Sequence, residues 1–194
     1  MSFKVISVAS TIGLLAACGG SGGGGADFGS LDGYLTELTQ LQNDPTVGSF
    51  APQTTVDGLR GSATYAGVIN IGVAQPGGNN LNTRNYLGGM TMTVDFVDGP
   101  DSMTGTAGDF VLYQSTVATN DIGSSVDGSL AFTGTTTSLN ESLGDGITGT
   151  MTGSIQGVDS SGTFDGNIMG INANGMSLFL DGPGLGGGVA ILAD

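Results

Sequence analysis

The chain has 194 residues, 38 of them glycine, with three basic side chains against 17 acidic ones, one cysteine, and no histidine or tryptophan. A net charge of −14 without any basic stripe leaves nothing to displace counterions from phosphates, which excludes nucleic acid as a partner. One cysteine forbids an internal disulfide, and the missing imidazoles remove Ser-His-Asp triads, thiol–imidazole dyads and His/Cys zinc sites, so no enzyme activity, catalytic residue, metal or cofactor is expected.

Residues 1–17 have the anatomy of a signal peptide. Lys4 supplies a short positive region, Val5 to Leu15 an apolar stretch too short to span a bilayer comfortably, and small residues follow. Leu15-Ala16-Ala17-Cys18 resembles a bacterial lipobox, which implies cleavage before Cys18 and acylation of its thiol. Two or more acyl chains give the stable membrane attachment that one cannot. Residues 18–29 then read as a lipidated Gly-rich tether. Gly19 follows the cysteine where an inner-membrane retention signal has aspartate, so the outer membrane is the expected location, on either its surface or its periplasmic face.

Residues 30–57 are expected to hold a short helix and a linker. Leu31, Tyr34, Leu35, Leu38 and Leu41 recur at helical spacing, Ser30 is placed to cap, and Asn43-Asp44-Pro45 ends the element. With no Lys or Arg for headgroups, this helix is expected to pack its apolar face on one end of the following domain. From residue 58 the period falls to two. Strands are expected at Ala63–Val73, Met90–Phe96, Ser102–Tyr113, Gly128–Gly134, Ile147–Ile155, Phe164–Ile171, Met176–Leu180 and Val189–Ala193. Turn signals lie at Asp98–Asp101, Asp159–Gly162 and Asn172–Gly175. Eight strands joined in sequence make an antiparallel meander, and eight is the number whose closed interior side chains just fill. Closure also removes edges, and in-strand glycines such as Gly67, Gly149, Gly153 and Gly166 allow curvature and close packing. One apolar face per strand must point inward. The fold expected is thus all-β: an eight-stranded up-and-down soluble barrel over 58–194, preceded by one short α-helix.

The order of Gly61-Ser-Ala-Thr-Tyr65-Ala-Gly67, Met92-Thr-Val-Asp95-Phe96, Met103-Thr-Gly105, Gly162-Thr-Phe164-Asp-Gly166, Ala173 and Leu185-Gly-Gly-Gly-Val189 resembles the barrel of the transferrin-binding protein B family of Gram-negative surface lipoproteins. Phe164-Asp165-Gly166 stands where that family has Phe-Tyr-Gly. The resemblance implies a non-enzymatic binding protein, with nutrient or iron acquisition as its role and an outer-membrane transporter as a partner. That family's receptors carry paired lobes with a handle domain beside each barrel. This chain has one barrel and no handle, so transferrin binding itself is not implied.

Recognition by loops is the first functional expectation, with an unknown protein or solute as ligand. Arg84 and Tyr86 fall in a polar stretch, Gln75–Gly88, longer than hairpin closure requires, and Gln114–Val126 is a second such loop. The alternative is a lipocalin-like carrier with a small apolar ligand among Met90, Met92, Met103, Met151 and Leu178. Asp95, Asp98, Asp101 and Asp109 could in principle build a calcium or acid–base site. The turn chemistry of 98–101 and the outward parity of Asp95 favour a plain structural reading.

Overall fold

The computed structural model describes residues 29–45, 48–74, 83–97, 101–115, 121–140 and 144–194. The signal peptide, Cys18 and nearly all of the tether lie outside the described residues.

Helix α1 (Leu31–Asn43) starts where expected: the Ser30 hydroxyl accepts a hydrogen bond from the Gly33 amide at 3.2 Å, satisfying one donor of the first turn. A single turn, α2 (Gln53–Val56), interrupts the linker. Nine strands follow: β1 (Gly61–Ala74), β2 (Thr83–Phe96), β3 (Ser102–Ser115), β4 (Ser125–Val126), β5 (Gly128–Asn140), β6 (Gly144–Ile155), β7 (Val158–Met169), β8 (Gly175–Asp181) and β9 (Leu185–Ala193). Every pairing among the described residues is antiparallel. β4 is a two-residue strip on β3; the other eight pair each with the next, and β9 returns to β1 through Ala66↔Ala193 to Ile71↔Gly188. That last ladder closes the barrel.

The interior holds one apolar cluster in which Tyr65, Tyr86, Phe110, Phe132 and Phe164 are fully buried among Met, Leu, Ile and Val side chains. Phe132 and Phe164 meet edge to face, 5.7 Å between centroids. Glycines make room for these rings and for the Met92 thioether. A Cβ on Gly88 would sit 2.6 Å from the Phe110 ring, one on Gly105 2.8 Å from Met92 Sδ, and one on Gly149 2.6 Å from Phe164 Cε1. Outward positions such as Thr64, Thr91, Asp95, Thr106, Thr133, Thr150 and Asp165 are exposed, so the outer face is hydroxyl-rich where a membrane barrel needs an apolar band. No described helix is long and apolar enough to cross a membrane.

The helix is in a different place from the one its sequence predicts. α1 lies along the outer wall, where Tyr34, Leu31 and Leu35 cover the outward-facing Val68 of β1, Leu87 of β2 and Val111 of β3. The Tyr34 hydroxyl donates to the Asp109 carbonyl at 2.7 Å. One end of the barrel is capped instead by the linker: Ala51, Val56 and Leu59 join the interior cluster. Phe50 bridges to Met169, the Ala51 amide donates to the Ile168 carbonyl at 3.0 Å, and the Thr55 hydroxyl donates to the Ile171 carbonyl at 3.4 Å.

Strand limits also move, three of them by six residues or more. β2 starts at Thr83, seven residues before the expected Met90, so 83–88 of the expected long loop belong to a strand, and 75–82 lie outside the described residues. β5 runs on past Gly134 to Asn140. Asp159–Gly162, expected as a turn, is inside β7, because the chain has already reversed at Gln156-Gly157. Both residues of that reversal have positive φ, 54° and 73°, the backbone of a two-residue hairpin turn.

Candidate functional site at the far end of the barrel

Opposite the α2 cap, the far end is built from the start of β2, the end of β3 with β4, the turn 156–157 and the turn 182–184. Arg84 and Tyr86 belong to strand β2 and not to a loop. They share parity with Met90 and Met92 and so face inward. Tyr86 is fully buried, so its ring is packing, not a solvent-facing contact. Its hydroxyl donates to Gln156 Oε1 at 2.9 Å, and Arg84 Nη1 donates to the same oxygen at 2.9 Å. The backbone N–H of Gln156 donates to the Asp127 carbonyl at 2.8 Å. Arg84 is half-buried, and its Nε is buried without a hydrogen-bond partner.

Sequence reasoning missed Gln156. Its signal was a Gln-Gly pair between two alternating runs, a variant of the Asn-Gly hairpin signature.

The acidic residues do not assemble. Asp95 is exposed on β2, opposite Ser102. Asp109 lies seven residues further along β3, roughly 23 Å away at strand rise, at a bulge with φ 52°. Asp101 is buried and structural: its carboxylate accepts the Val97 amide at 2.9 Å and the Thr136 hydroxyl at 3.0 Å. Asp98 is outside the described residues. Among the described residues no group of three His, Cys, Asp or Glu could hold a metal ion.

A depression of about 460 Å³ lies on the outside of the wall beside α1, floored by Ala66, Gly89, Thr91, Thr106 and Gly108. It is not an interior cavity.

No family model matches the chain, and no curated protein matches it either. Among solved structures it is similar to the isotype 1 transferrin binding protein B from serogroup B Neisseria meningitidis, at 17% identity and a TM-score of 0.47. The alignment covers 75% of this chain and 27% of that one. The chain therefore spans about a quarter of that protein.

Burial raises two phenols, Tyr34 and Tyr65, above their ordinary ionisation range. Tyr65, whose hydroxyl donates to the Ala173 carbonyl at 2.8 Å, is pushed far above its ordinary 10.0 by burial and, second, by the Asp194 charge. An unfolded tyrosine ionises near 10.0 while the folded one does not, so this stability is whole below that pH and is lost as pH rises beyond it. Above about pH 10, Tyr65→Phe is expected to flatten the loss of stability by about 1.4 kcal/mol per pH unit, read by urea melts at stepped pH. An unchanged slope would remove Tyr65 from the account.

Proposed function

We propose that the chain is a lipid-anchored outer-membrane or cell-surface binding protein that recognises a protein or solute through the far end of its barrel. In this reading it acts by binding, without catalysis, in nutrient or iron acquisition. The observation that carries the reading is the asymmetry of the barrel. One end is capped by the chain's own linker, while the other presents turns around an inward arginine. Rings and thioethers pressed against in-strand glycines disfavour a carrier, whose ligand needs interior volume of several hundred Å³.

The anchor is tested by membrane fractionation and mass spectrometry of the mature N-terminus. Wild type is expected with an acylated Cys18 in the membrane fraction, and Cys18→Ser in the soluble fraction; an unmodified Cys18 in wild type overturns the anchor. Recognition is tested by affinity capture from serum or culture medium. A partner held at stoichiometric level is expected to be lost when 156–157 and 182–184 are substituted together and kept with Phe50→Ser and Ile171→Ser at the capped end. The reverse pattern, or no saturable partner, overturns the reading.

A further inference from the structure

Arg84 and Arg60 are the only arginines in a chain with 17 acidic residues. Arg60 is spent on its own neighbourhood, with Nη1 donating to the carbonyls of Asp57 and Leu59. Arg84 is different. It faces into the far end of the barrel, and among the described residues no acid pairs with it. Its Nη1 is bound to Gln156 Oε1, an oxygen whose second lone pair the Tyr86 hydroxyl takes. Gln156 thus pins the guanidinium at one corner, and the ring of Tyr86 stands next along the same inward face.

This clamp leaves the other edge of the fork. Nε is buried and has no partner, a costly condition for a cationic donor removed from water. Nε–H and the neighbouring Nη2–H point in parallel, the spacing that a carboxylate fills with two hydrogen bonds.

Gln156 supplies the second argument. It occupies a position with φ 54°, where glycine, asparagine or aspartate would fold with less strain. A shorter amide in that place would fall short of Arg84 and Tyr86. The glutamine trades turn quality for the reach that orients the guanidinium.

We propose that the far end of the barrel holds a carboxylate site on the Nε/Nη2 edge of Arg84, oriented by Gln156, whose Oε1 the buried Tyr86 hydroxyl also binds. The site deepens the far-end binding reading and rests on it. Its ligand carries one carboxylate, because the net charge of −14 opposes polyanions at long range. A small organic acid and the C-terminus of a peptide present the same group, and the experiment separates them.

Two arginines give two Nε–Hε cross-peaks in an ¹⁵N spectrum of the full-length protein. At constant pH and ionic strength, sodium acetate and a short peptide with a free C-terminus are titrated in place of chloride, beside the same peptide amidated. The Arg84 peak is expected to shift saturably with an apparent Kd near or below about 10 mM, two to three kcal/mol or more of binding free energy, while the Arg60 peak stays still. A peptide preferred over acetate at least tenfold identifies a chain terminus as the source, and the reverse a small acid. Arg84→Lys, which keeps the charge and loses the fork, is expected to weaken binding at least tenfold, and Arg84→Met to abolish it with the thermal melt intact. No saturable shift at Arg84, or equal shifts at Arg84 and Arg60, overturns the proposal. Partner capture is run without carboxylate buffer, so failure here leaves that result standing, and failure there leaves the Arg84 titration readable.

Discussion

Phe164→Ala is expected to cost the barrel about 3–5 kcal/mol, the loss typical of a buried ring truncated to a methyl. The ring lies across the cross-strand glycines Gly134 and Gly149 of β5 and β6 and meets Phe132 on its edge. Its removal therefore opens a cavity walled by backbone, which relaxes poorly. Gly149→Ala attacks the same contact from the other side, driving a methyl against both the Phe164 ring and the Thr133 carbonyl oxygen of the neighbouring strand, and is expected to cost about 3 kcal/mol or more, because backbone cannot move aside as a side chain can. The two substitutions share a space. Combined, they are expected to cost less than their sum by about 1 kcal/mol, since removing the ring relieves its share of the clash while the Thr133 carbonyl stays in place. Urea melts followed by circular dichroism measure all three values, and strict additivity would mean that the ring does not lie on Gly149.

Tyr34→Ala is expected to detach α1 while leaving the barrel folded. The helix has 13 residues, near the limit below which an isolated helix is marginal in water, so its order depends on docking. Tyr34 is its fully buried anchor, seated over Val68, Leu87 and Val111 with its hydroxyl on the Asp109 carbonyl. Truncation removes about 3 kcal/mol of docking, whereas Tyr34→Phe loses only the hydrogen bond, about 1 kcal/mol. Limited proteolysis is expected to cut Tyr34→Ala within 31–43 much faster than wild type, with Tyr34→Phe in between and the barrel intact in all three. Global unfolding of Tyr34→Ala would make the helix part of the barrel's core rather than a strap on it.

The doubling of apolar residues beneath α1 also shows where the fold was legible and where it was not. Wherever a strand has one buried face, alternation read true: Met90, Met92, Val94 and Phe96 point inward, and Thr91, Thr93 and Asp95 outward. Under the helix both faces of the wall are buried, and Val68-Ile69, Tyr86-Leu87 and Val111-Leu112 break the period. That break hid the first half of β2, whose Arg84-Asn85 and Gly88-Gly89 also resemble a loop. Those same doublets, on three neighbouring strands, mark the docking stripe that would have placed the helix on the wall. Arg84 and Tyr86 were picked from the sequence as loop contacts, yet they meet at the far end because the strand carries them there. Gln156 completes the group through a hairpin turn whose partner lies 70 and 72 residues away, a relation that local pattern does not encode.

Closure of the wall is what turns eight strands into a filled barrel with two distinct ends, and it depends on the first and last long strands meeting. Backbone nuclear Overhauser effects between β1 and β9 measure this directly. A ladder of contacts is predicted through Gly67↔Leu192, Val68↔Ile191, Ile69↔Ala190 and Asn70↔Val189. Intact β1–β2 and β8–β9 contacts without any between β1 and β9 would leave an open sheet and contradict the account.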